Sequence, residues 1–98
     1  MATTYKRIEA VHKACEILAF LGRQKEPMSG QDIAKAVNMA QGTVMCHLAT
    51  LEDNGFVQQV GGAWRIGMVL ALFWARKKAD LESERQRIDN DLEKLGGE

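Results

Sequence analysis

The sequence predicts a mainly α-helical fold: a winged helix-turn-helix of three helices plus a β-hairpin wing, followed by a long C-terminal helix. Three observations carry that expectation. Apolar side chains recur at helical spacing in three successive segments between Tyr5 and Asn54. The period then shortens to two on either side of Gly61-Gly62. From Met68 to about Leu95 no glycine or proline interrupts the chain.

The first helix is expected over Tyr5–Arg23, with Ile8, Val11, Ala14, Cys15, Leu18, Ala19 and Leu21 along its apolar stripe and Gly22 suited to its end. Gln24–Pro27 is a polar connector containing the only proline. Ser29 suits an N-cap, because its hydroxyl can accept from the unpaired N–H groups of a new helix. Asp32, three residues on, is a shorter version of the capping-box acid. Ile33, Ala34 and Val37 mark the buried face of a short second helix, and Asn38 tolerates the left-handed backbone that ends one. A third helix is expected from about Ala40 to Asn54, with Val44, Leu48 and Leu51 inward and Gly55 closing it. Phe56–Val60 and Ala63–Ile66 read as strands joined through Gly61-Gly62, which supplies the positive φ angles of a two-residue turn. Gly67 ends the hairpin. The expected division is residues 1–67 as the winged helix-turn-helix domain and 68–98 as the C-terminal helix.

At 98 residues and 46% apolar, the chain can hold one modest core. Thirteen basic residues balance thirteen acidic ones, so no strong global field exists and any phosphate binding must rest on local patches. The charges are unevenly spread. Residues 1–67 hold seven basic and six acidic side chains, Arg76, Lys77 and Lys78 follow without an acid, and 79–98 hold three basic against seven acidic. Cys15 and Cys46 are too few for a disulfide framework, and no secretory segment follows Met1–Arg7. The longest apolar run, Met68–Ala75, falls far short of the roughly 20 residues that cross a bilayer. A reducing cytoplasm, with no membrane partner, is the expected setting.

A short helix, a tight turn and a second helix, followed by a hairpin, allow the later helix to enter a major groove roughly 12 Å wide while the earlier one crosses the backbone. The residues that fill this frame are Ser29-Gly-Gln-Asp-Ile-Ala-Lys-Ala-Val-Asn-Met39, Gly42-Thr-Val44, Leu48-Ala-Thr-Leu-Glu-Asp-Asn-Gly-Phe-Val57 and Trp64-Arg-Ile-Gly67. They resemble the N-terminal DNA-binding domain of IclR-type transcriptional regulators, over about residues 5–75. The resemblance implies a winged helix that binds duplex DNA. Two departures stand out. Where the family usually has Ser-Thr-Val and an Arg two residues later, this chain has Gly42, Thr43, Val44 and Cys46, so one polar contact and one basic contact are replaced. Family members also continue into a ligand-sensing domain, whereas one helix follows here, so no small-molecule effector is expected.

On the third helix, steps of about 100° per residue place Gly42, Cys46, Ala49 and Asp53 opposite the core face, flanked by Thr43, Met45 and Thr50. No formal charge occurs from Ala40 to Leu51. Small side chains would let this helix lie close to DNA, with Gln41 and Thr43 meeting bases or phosphates and Met45 a thymine methyl. The expected DNA-binding residues are Gln41, Gly42, Thr43, Met45 and Cys46 here, Lys35 on the second helix, and Gln58, Gly61, Gly62 and Arg65 in the wing. Arg65 matches the family's wing position, and Lys6 and Arg7 could add phosphate contacts.

His12 with Cys15, and Cys46 with His47, raise the question of zinc. Their spacing fits no structural zinc pattern, and adjacent Cys46 and His47 diverge around the helix, so no metal or cofactor is expected. Cys15 is expected to be a buried, inert thiol and His47 a half-buried packing residue. The chain has no phosphate-cradling loop and no nucleophile–base–orienter set, and an enzyme is not expected.

On the terminal helix Trp74, Leu81, Ile88 and Leu95 repeat every seven residues. Leu92 fills one complementary seam position, and Lys78 and Arg85 fill the others. Met68, Val69, Leu70, Leu72, Phe73 and Trp74 are too apolar to remain in water, so this stretch is expected to cover the core or a partner. The expected coiled-coil dimer seam comprises Phe73, Trp74, Leu81, Ile88, Leu92 and Leu95. Together these features predict a homodimeric, sequence-specific duplex-DNA-binding transcriptional regulator without its own ligand-sensing domain. The alternative is an adaptor whose protein partner docks on the uncharged third helix.

Overall fold

The computed structural model describes residues 4–96; residues 1–3 and 97–98, at the outer ends of the two expected units, lie outside the described residues. In chain order the elements are α1 (Glu9–Gly22), β1 (Met28–Ser29), α2 (Gly30–Val37), α3 (Gln41–Asp53), β2 (Val57–Val60), β3 (Ala63–Ile66) and α4 (Met68–Lys94). This is the mainly helical winged helix that the periodicity predicts, with one added strand.

Local chemistry sets most of the boundaries. Ser29 Oγ accepts from the Asp32 N–H at 3.0 Å and starts α2. Asn38 is left-handed at φ 56° and ends α2. Gly55 turns the chain out of α3 at φ 76°, and Gly61 and Gly62 form the hairpin turn at φ 56° and 84°.

The core is assembled from α1 (Ile17, Leu21), α2 (Ile33, Ala34, Val37), α3 (Val44, Leu48, Leu51) and the wing (Val57, Trp64). The α1 face differs from the expected one. Ile17 is fully buried at 0% exposure, whereas Val11 is 57% exposed and Cys15 is also exposed. Two apolar lines run along this helix, and one helix face can meet the core. Ala14, Ile17 and Leu21 take that face, which leaves Val11 and Cys15 roughly a third of a turn away. The helix also begins at Glu9 rather than Tyr5, because Ile8 adopts an extended backbone at φ −104°, ψ 112°.

The third strand has no counterpart in the sequence pattern. β1 pairs antiparallel with β3, placing Met28 opposite Trp64 and Ser29 opposite Ala63, so β3 lies between β1 and β2. Its two residues are too short to show a period of two. Ser29 therefore serves both the sheet and the α2 cap.

α4 leaves the body at Gly67, whose N–H donates to the Phe56 carbonyl at 2.8 Å; the Val69 N–H donates to the Gly55 carbonyl at 3.3 Å. A Cβ at Gly67 would run into that same Gly55 carbonyl. Beyond this joint α4 is about 40 Å long, and none of its residues is buried. The Met68–Trp74 stretch does not cover the chain's own core: Val69 and Leu70 are half-buried, whereas Met68, Leu72 and Trp74 are exposed. Phe73 packs edge-on against Phe56, with ring centroids 6.2 Å apart. Among the described residues no helix is long and apolar enough to cross a membrane.

Candidate nucleic-acid interface

The Asn38 turn aims α3 outward from α2, and the Met39 N–H donates to the Ala34 carbonyl at 3.0 Å to close that turn. Val44, Leu48 and Leu51 then anchor α3 in the core. Gln41, Gly42, Thr43, Met45 and Cys46 are all exposed on the outer side. The N-cap residue, Ala40, has no side-chain acceptor, and no acid occupies the first turn. The N–H groups at this end therefore carry the partial positive charge of the helix terminus without an internal counter-group. Gly42 has open space where a side chain would stand, so no side chain at this position covers the helix end.

Two of the expected contact residues have other neighbours as well. Met45 is 40% exposed, and its sulfur would lie 2.7 Å from a Cβ placed on Gly30. It thus rides over the start of α2 and braces the two helices while presenting only part of its surface. Cys46 borders an apolar cleft of about 500 Å³ between α1 and α3, shared with Val11, Cys15, Leu18, Thr50 and Phe56. The expectation of a buried Cys15 is corrected here: its thiol opens onto this cleft because Ile17 takes the core face. His47 is half-buried, and its Nδ1 donates to the Thr43 carbonyl at 2.9 Å. Sequence reasoning misses this cleft, although a stripe on α1 too wide for one packed face is its signal.

In the wing, Gln58 and Arg65 are register partners on β2 and β3. Arg65 Nε donates to Gln58 Oε1 at 3.2 Å, and both residues are exposed. Among the described residues only Nε of this guanidinium is engaged, which leaves the terminal nitrogens for an outside acceptor. Gly61 and Gly62 at the tip have open space where a side chain would stand, with no atom within 4 Å, so a backbone or sugar could approach closely. β2 packs against α3, which puts the wing beside that helix.

The remaining basic residues are less concentrated. Lys35 is exposed in the last turn of α2. Lys6 and Arg7 lie in a separate surface hollow at the start of α1 with Ile8, Val11 and His12. Lys13 is turned inward, 3.2 Å from Glu16 and within 3.5 Å of the Val37 carbonyl. Among the described residues no group of three or more His, Cys, Asp or Glu side chains comes together that could hold a metal ion.

The sequence profile of the IclR helix-turn-helix domain matches residues 10–61. No curated protein sequence matches the chain. Among solved structures, the ORF112 Zalpha domain of Cyprinid Herpesvirus3, determined for its binding mode to Z-DNA, superposes with a TM-score of 0.53 at 24% identity, covering 62% of this chain and 98% of that one. An IclR family transcriptional regulator from Brucella abortus superposes with a TM-score of 0.60 at 20% identity, covering 78% of this chain and 32% of that one. The chain thus spans about a third of the Brucella regulator's length. Both likenesses establish a winged-helix fold. The profile match runs through α1, α2, α3 and β2 to the wing tip, more than half of the 98 residues, and the chain belongs to the IclR helix-turn-helix domain family, a family of DNA-binding regulators rather than enzymes.

Proposed function

We propose that this chain is a cytoplasmic transcriptional regulator that binds duplex DNA as a homodimer. The 1–67 unit is the reader and the 68–98 helix the dimerisation element. The first turn of α3 enters the major groove through Gln41, Gly42 and Thr43, with Met45 and Cys46 at its margin. The wing reaches the adjacent backbone through Gln58, Gly61, Gly62 and Arg65, and Lys35 adds a phosphate contact.

The observation that carries this reading is a pair of exposed features, one on α3 and one on the wing that packs against it through β2. One is an outward helix end without an internal cap. The other is an exposed arginine already oriented by Gln58. Both features suit the phosphate-rich edge of a groove. The dimer reading is supported by α4, which has Trp74, Leu81, Ile88, Leu92 and Leu95 exposed. A lone helix gains little stability without packing an apolar face.

The adaptor reading keeps one specific support, the apolar cleft beside Cys46. Titration of the protein into fluorescent duplex DNA of random sequence separates the two. Affinity that falls steeply between about 50 and 200 mM salt supports DNA binding. Absence of binding at micromolar protein in the low-salt buffer contradicts it and favours a protein docked at the cleft.

A further inference from the structure

We infer that α4 pairs with α4 of a second copy in antiparallel orientation, in a register that sets Trp74 of one chain against Leu92 of the other. The inference rests on the homodimer reading and specifies the geometry of that surface. The seam runs through residues spaced alternately three and four apart, and its apolar members are exposed, from 48% at Leu92 to 84% at Leu95. Trp74, Lys78, Leu81 and Arg85 border one open groove on this face, with Lys78 Nζ 5.5 Å from the Trp74 ring centroid.

Orientation decides what the two charged seam residues meet. In a parallel pair each seam residue faces its own copy, so Lys78 would face Lys78 and Arg85 would face Arg85 in a partly desolvated interface. The flanks give one attraction, Lys77 with Glu82, and one repulsion, Glu84 with Asp89.

In the antiparallel register Ala71 faces Leu95, Trp74 faces Leu92, Lys78 faces Ile88, and Arg85 faces Leu81. Each basic residue now lays its aliphatic stem on an apolar side chain and carries its charged head outward. Lys78 emerges beside Asp89 and Asp91 of the partner subunit, and Arg85 beside Glu82 and Glu84 of the partner subunit. The acidic residues that crowd the centre of the pair thereby find the two Arg85 side chains. The ends also match: Arg76, Lys77 and Lys78 have no acid among them, and Asp89, Asp91 and Glu93 have no base among them. Antiparallel pairing lays one block over the other.

The register is set by length. Sliding one heptad toward the bodies drives Leu92 onto Gly67, where the chain packs on its own Gly55. Sliding one heptad away sets Trp74 past Leu95, where α4 has ended and Gly96 turns the chain at φ 79°. In the chosen register the two-fold axis passes near Ser83, and the two Met68 residues stand about 45 Å apart along the helices. The two reading heads then sit at opposite ends of the dimer instead of side by side.

The test uses the full chain with Cys15→Ser and Cys46→Ser, adding Ala71→Cys to one preparation and Leu95→Cys to another. The two are mixed, left to exchange and oxidised, and the disulfide-linked species are identified by mass. Sedimentation of the unsubstituted chain gives its oligomeric state. The expected result is a dimer in which the mixed 71–95 disulfide forms and the 95–95 disulfide is nearly absent. A dimer with 95–95 and 71–71 disulfides overturns the orientation while sparing the homodimer. A dimer with none of these disulfides overturns the seam, and a monomer overturns the homodimer reading with it.

Discussion

Arg65 and Gln58 are bound to each other across the wing, Nε of the guanidinium donating to the amide oxygen at 3.2 Å. The hydrogen bond links facing positions of β2 and β3 and narrows the directions in which the arginine can reach. Because both side chains are exposed, the contact contributes little to stability. Under the proposed DNA-binding function its consequence lies in recognition.

Arg65→Ala is accordingly expected to leave the unfolding free energy within about 0.5 kcal/mol of the parent while weakening DNA binding. The slope of log affinity against log salt should fall by about 0.9, the loss of one phosphate contact. Gln58→Ala should weaken binding less, since the charge remains and only its orientation is relaxed. Fluorescence anisotropy over a salt series reads both effects.

Cys46→Arg is expected to act in the opposite direction. Cys46 is exposed on α3, and an arginine there supplies the basic contact that the resemblance to IclR-type regulators implies at this position. Affinity should rise and the salt slope steepen by about 0.9 in the same assay. An unchanged slope would show that this part of α3 does not approach phosphate.

The cap and the α4 joint make separate stability predictions. Ser29→Ala removes the acceptor of the Asp32 N–H and should cost about 1 kcal/mol in urea unfolding. Gly67→Ala places a Cβ against the Gly55 carbonyl and should cost about 1–3 kcal/mol. Gly22→Ala, with nothing within 4 Å of the added carbon, is the neutral comparison.

Ile17→Ala and Val11→Ala test which face of α1 supports the fold. Ile17 is at 0% exposure and Val11 at 57%. The first change should cost about 2–5 kcal/mol and the second no more than about 0.5 kcal/mol.

Those two residues also mark what can be read in advance. Ser29, Asn38, Gly55 and the Gly61-Gly62 turn are decided by local backbone chemistry, and each behaves as its residue type predicts. The inward residues of α2 and α3 are legible because each helix has one narrow apolar line. On α1 the apolar residues cover too much of the circumference to name a face. Periodicity therefore misses Ile17 and assigns Cys15 to a core that it only borders. β1 exists through its pairing with β3, a tertiary event that two residues cannot announce. The outward set on α3 and in the wing is legible as an exposed surface. That Met45 leans on Gly30, and Cys46 on a cleft, depends on how α3 lies against α2 and α1.

The central claim is that α3 and the wing contact duplex DNA, and backbone amide NMR of the labelled chain during a DNA titration tests it most directly. The account predicts salt-sensitive shifts concentrated at Gln41–Cys46 and Gly61–Arg65, with the α1 side of the cleft little changed. Shifts confined to Val11, Cys15 and Leu18, or none at micromolar DNA in low salt, would contradict it.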